Sequence, residues 1–175
     1  MSVTFNGAFT FTGGGFTATL APPGGPTAGW FGGGYASGPA PTSTVQRITF
    51  ATDTNTASSR GPLSIGVYSL AATTDSTTYG WFGGGEAPAR VSTVQRITYA
   101  TDTDVATVRG PLSAAIDFSS GVGNTEYGWF GGGQSPGGKV STVQRITYAT
   151  DTATASIRGA LTGVVYRGAG TSGNQ

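Results

Sequence analysis

At 175 residues the chain is long enough for one domain with a sizeable core, and only 10% of it is charged, for a formal net charge of +1. That balance gives no electrostatic basis for holding nucleic acid or an anionic membrane surface, and it offers little repulsion against self-association. There is no cysteine and no histidine, which excludes disulfides, thiolate metal sites and an imidazole general base.

The first 20 residues, MSVTFNGAFTFTGGGFTATL, have neither a basic start nor a continuous apolar run, so they do not read as a signal peptide. Val3, Phe5, Phe9 and Phe11 alternate with polar residues, and the Asn6-Gly7 pair interrupts them as a hairpin turn would. Phe16–Leu20 reads as a second short strand. It is ended by Pro22-Pro23-Gly24-Gly25-Pro26, because proline cannot donate to a ladder. Residues 1–28 are therefore expected to be N-terminal strands and a Pro/Gly loop, followed by a repeat domain over 29–175.

The repeat shows in two blocks. GWFGGG occurs at Gly29–Gly34, Gly80–Gly85 and Gly128–Gly133, and a TVQRIT…RG block begins at Thr44, Thr93 and Thr142. Units start at 29, 80 and 128, with a period of about 49 residues, in the range that marks stacked structural repeats. In each unit Gly-Trp-Phe reads as a strand that stops where glycines let backbone approach backbone. A variable loop follows (Tyr35–Ser43, Glu86–Ser92, Gln134–Ser141). The β-branched run TVQRITYAT is a second strand, Asp-Thr a polar turn, and the segment ending in Arg-Gly a third strand. A fourth is expected at Ile65–Ala71, Ala114–Ser120 and Gly163–Arg167. No segment has a helical period, and no apolar window of about 18 residues offers a spanning helix. The expectation is an all-β protein of three four-stranded units.

An aromatic strand ending in glycines, a loop, VQRITYATDT, a turn and a strand ending near proline together resemble the kelch repeat, over residues 16–168. The tryptophan that kelch repeats place after the second turn is replaced near Ala57, Ala106 and Ala155; here Trp precedes the glycines. Gly80–Gly85, Ser92–Thr103 and Arg109–Ser113 also resemble the GYFGGG/STVxRIxY/RGPLS arrays of marine bacteriophage proteins described as kelch-like or tail-fibre-like. The resemblance implies propeller blades; a three-fold pseudo-symmetric β-prism is the alternative. It also implies a viral structural or appendage protein, located in the virion. The alternatives to that location are extracellular or soluble cytoplasmic.

Nine residues form polar columns: Arg47, Arg96 and Arg145; Asp53, Asp102 and Asp151; Arg60, Arg109 and Arg158. An arginine fork suits a carboxylate or phosphate ligand. Chemistry rarely needs three identical copies, however, whereas a repeated scaffold needs the same bracing each time. Structural bracing between strand ends or neighbouring units is the expected role. Trp30, Trp81 and Trp129 are candidate sugar-stacking platforms, against the alternative of core filling with each indole N–H bonded to a carbonyl. The glycine triplets lack the Gly-Lys-Ser/Thr of a phosphate loop. Asp75, Glu86, Asp104, Asp117 and Glu126 are scattered, with no evident partners for paired-carboxylate chemistry. No enzymatic activity and no cofactor are expected.

Three units leave two uncovered faces and are too few for the usual ring of 4–8 blades. Either two chains pool their units into a six-bladed ring, with Val3–Phe11 or Gly163–Arg167 as the closing strand, or the three units close as a prism within one chain; assembly between chains is the expectation. The expected partners are further copies or other virion proteins, and a cell-surface glycan met by the variable loops. Neither nucleic acid nor membrane insertion is expected.

Overall fold

The computed structural model describes residues 25–35, 38 and 40–173. The hairpin and strand expected within Val3–Leu20, and most of the segment 1–28, lie outside the described residues. The described part is all-β, apart from three single-turn 3-10 helices, and its sheets are antiparallel with none closed into a barrel.

Strands β1 (Ala28–Gly32), β2 (Val45–Thr49) and β3 (Ser58–Arg60) form a meander in that order. The second sheet runs β4 (Ala71–Thr74), β5 (Tyr79–Gly83), β6 (Val94–Thr98), β7 (Thr107–Arg109). The third contains β8 (Ser120–Gly123), β9 (Tyr127–Gly131), β12 (Val143–Thr147) and β13 (Ser156–Arg158), in the order β13-β12-β9-β8. Between β9 and β12 a small hairpin is made by β10 (Gln134–Ser135) and β11 (Gly138–Lys139). The register repeats: Trp30 faces Arg47, Trp81 faces Arg96 and Trp129 faces Arg145.

The fourth strand lies further along the chain than the sequence suggests. The four-stranded sheets begin at Ala71 and Ser120, and no strand forms over Gly163–Arg167. The backbone of the expected segment is engaged elsewhere. The Ser64 hydroxyl and the Ile65 N–H both donate to the buried Gln95 side chain, and Ser113 and Ala114 do the same to Gln144. Val67 and Ile116 then plug the interior at 0% and 1% exposure. The chain finally turns through a left-handed residue, Ser69 or Phe118, with φ of 56° and 52°.

The core lies between the sheets rather than within any one of them. One apolar cluster joins Val45, Leu63 and Val67 of the first unit to Phe82 and Ile97 of the second. The other joins Trp81, Val94, Leu112 and Ile116 to Phe130 and Ile146 of the third. Each junction has a knob and a hole: the Phe82 ring lies where a Cβ on Gly32 would be 3.0 Å away, and Phe130 covers Gly83 at 2.8 Å. Burial of one such aromatic contributes about 1.5–3 kcal/mol, so the units hold one another up, as repeat proteins do.

Candidate functional site

The repeated polar residues meet at these junctions. The 3-10 turns Tyr99–Thr101 and Tyr148–Thr150 end on Asp102 and Asp151, which project back towards the preceding unit. Asp151 Oδ2 accepts from the Trp81 indole N–H at 2.9 Å and from Arg96 Nη1 at 2.9 Å, with Arg109 Nε at 3.5 Å. Asp102 Oδ2 accepts from Trp30 at 2.9 Å and Arg47 at 3.0 Å, with Arg60 Nε at 3.0 Å. Each carboxylate is thus a latch: one oxygen takes two hydrogen bonds and a further ion-pair contact from the unit before it. The sequence pointed to a bracing role for each strand arginine, between strand ends or neighbouring units, and to a carbonyl for each indole. The observed partner of both is the carboxylate of the following unit, 55 positions from the strand arginine.

Aromatic contacts hold the donors in place. Trp81 stacks on Tyr148 at 3.9 Å between centroids and Trp30 on Tyr99 at 4.1 Å. The Arg96 guanidinium lies 4.1 Å over the Tyr79 ring, where cation–π attraction favours it. Trp81 is wholly buried and so has no face to offer a sugar, and one face of Trp30 is taken by Tyr99. Asp102 and Asp151 are almost buried, at 9% and 7% exposure, and each faces two guanidinium groups, so the charge of the carboxylate is compensated where it is desolvated.

The two ends of the stack differ. Asp53 is exposed and has no ion-pair partner among the described residues. Arg145 keeps the pose of its counterparts, 4.2 Å over Tyr127, and Trp129 lies 5.8 Å from Tyr127 as Trp81 lies 5.7 Å from Tyr79. No carboxylate among the described residues meets Arg145 or Arg158. The unit of β8, β9, β12 and β13 therefore presents an assembled set of donors with no acceptor among the described residues.

The scattered acids have structural partners that their sequence positions do not suggest. Fully buried Asp117 accepts from Arg90 Nε at 2.8 Å. Asp75 caps a turn by accepting from the N–H groups of Thr77, Thr78 and Tyr79. Among the described residues no cluster of acids has the makings of a metal site. No described helix is long and apolar enough to cross a membrane.

Burial raises the phenol pKa values of Tyr99 and Tyr148, and hydrogen bonds to Thr74 and Thr73 only partly offset this. Both groups stay neutral in the fold after the same phenols in the unfolded chain have ionised. Their contribution to stability is complete below about pH 10 and is lost as pH rises through the folded values. An absorbance titration is expected to show Tyr99 and Tyr148 among the late-ionising tyrosines, and denaturant unfolding to show stability falling above about pH 10. Tyr148→Phe should flatten that fall; an unchanged slope would mean that this phenol is hydrated.

No family model matches the chain, and no curated protein matches it. Among solved structures it is similar to one titled "Structure of YjhT", with a TM-score of 0.61 and 13% identity, over 75% of this chain and 42% of that one. The described chain thus shares its fold with less than half the length of that protein.

Proposed function

We propose that the chain is a structural or appendage component of a bacteriophage particle, built from kelch-like propeller blades, which works by assembly rather than by catalysis. The observation that carries this reading is the latch. The residues that recur from unit to unit, Trp, Arg, Arg and Asp, are used to join one unit to the next. Blades are supported by the four-stranded meanders and by contact between the first strands of neighbouring sheets, where Gly121 of β8 packs against the Ala72 carbonyl of β4. Its expected place is the virion, among further copies or other virion proteins.

A second reading, contact with a cell-surface glycan, is favoured by the loops between the second and third strands. They leave the same edge of each sheet but fold differently. One carries the Arg90–Asp117 pair, and the other forms the β10–β11 hairpin.

Particles purified from a lysate should contain the protein, and antibody labelling should place it on them in electron micrographs. Its complete loss during purification would overturn the structural reading. A glycan array on the same protein tests the loops: binding that survives replacement of Glu86–Ser92 and Gln134–Ser141 by Gly-Ser linkers would overturn the second reading.

A further inference from the structure

We propose that two copies of this chain close on each other head to tail through the same junction that joins its own units, so that Asp53 of each enters the Trp129–Arg145–Arg158 cluster of the other. The proposal deepens the assembly reading above and rests on it.

Three contacts define a junction, and each is made twice inside the chain. An aspartate enters the Trp–Arg–Arg set of the unit before it. A glutamine accepts from a hydroxyl and the next N–H in the preceding unit. A phenylalanine ring covers a strand glycine of that unit. At the two ends, the halves of all three stand open among the described residues.

The leading face offers the knobs. Phe31 is 62% exposed, where Phe82 and Phe130 are 5% and 0% exposed. Gln46 and Asp53 are exposed, where their counterparts Gln95, Gln144, Asp102 and Asp151 are buried. The trailing face offers the holes. A Cβ on Gly131 would meet only Val143 and Leu161 of its own unit, at 3.6 Å or more. Thr162 and Gly163 stand where Ser64-Ile65 and Ser113-Ala114 donate to a glutamine. Arg145 is already held over Tyr127. The charges are complementary, one carboxylate against two guanidinium groups, and the apolar parts match as well. Phe50 stands where Tyr99 and Tyr148 stack on a tryptophan, so its exposed ring is placed to cover Trp129.

A head-to-tail contact forms a ring if its rotation closes and a filament if it does not. Two copies bring six described units, within the usual 4–8 blades of a closed ring, whereas three copies bring nine, beyond it. The closed pair is therefore the expected species, and it uses both ends of both chains.

Sedimentation of the full chain at micromolar concentration should give twice 17.5 kDa. Gly131→Leu places a side chain in the hole, at a position where a Cβ is 3.6 Å from the nearest atom of its own unit. Asp53→Arg places like charge against Arg145 and Arg158 from an exposed position. Each should raise the dissociation constant of the pair by roughly 100-fold or more, as expected for a lost buried charge contact or a blocked knob. The β-sheet circular dichroism of the dilute protein should be unchanged by either substitution. A monomer at all concentrations, a ladder of larger species, or a dimer indifferent to both substitutions would overturn the proposal. Detection on virions is independent: a monomer found on particles sinks this inference alone, and a dimer absent from particles sinks only the virion assignment.

Discussion

Replacing Asp151 by alanine is expected to lower stability by about 3 kcal/mol, whereas Asp53→Ala should change that of the dilute monomer by less than ~0.5 kcal/mol. The two residues occupy the same place in the repeat, and only their surroundings differ. Removing Asp151 leaves Arg96 and Arg109, on adjacent strands of one sheet, mostly buried without their counter-charge, and orphans the N–H of the fully buried Trp81. Breaking such a cluster costs far more than the cluster contributes relative to an apolar replacement, because the charges left behind remain desolvated. Asp102→Ala should behave like Asp151→Ala, as it meets the corresponding tryptophan and pair of arginines. Urea denaturation of the three variants at concentrations too low for association is the measurement. Equal losses at all three positions would show that each aspartate acts within its own unit, and would refute the latch between units.

Gly84→Ala should be at least as damaging, at roughly 3–5 kcal/mol. Gly84 has a φ of +70°, where any Cβ is strained, and that Cβ would lie 2.5 Å from the carbonyl oxygen of Ile116. The carbonyl cannot retreat, because it accepts the Gly85 N–H at 2.7 Å and Ile116 itself plugs the core. The middle glycines of the triplets are therefore places where the end of one strand meets the plug segment, and Gly33 against the Val67 carbonyl repeats the geometry. Gly138 is the control. It also has positive φ but nothing within 4 Å, so alanine there should cost only the backbone strain, about 1–3 kcal/mol. Matched melting curves for Gly84→Ala and Gly138→Ala would mean that the close approach contributes nothing.

Much of the architecture follows from local rules. The alternation and β-branching of VQRIT, the aromatic GWFG run and the glycines after it are short-range signals, and the strands fall where these place them. The 49-residue spacing of the columns marks residues at the same phase of each unit; Asp102 and Asp151 meet the same set of partners, whereas Asp53, Arg145 and Arg158 do not. Two features were not legible. The strand at Ala71–Thr74 has the small, polar composition of a turn, and it becomes a strand because the Trp81 strand pairs along it. The apolar segment around Ile65–Val67 reads as strand, yet a buried glutamine side chain takes the Ile65 N–H, and Val67 faces inward while Ile65 stays exposed.

The latch partner also lay beyond the sequence. Spacing along the chain favours the aspartate six residues from each strand arginine. The turn between them, however, carries that carboxylate away from its own sheet and towards the sheet before it. The amino-acid sequence by itself determined which residues are repeated and that they form strands, because those properties reside in the neighbours of each residue. Only the tertiary structure decided that the aspartates point backwards, that the core lies between units, and that one end keeps an acceptor and the other a set of donors. Those facts depend on how whole sheets stack, which the neighbours of a residue along the chain do not show.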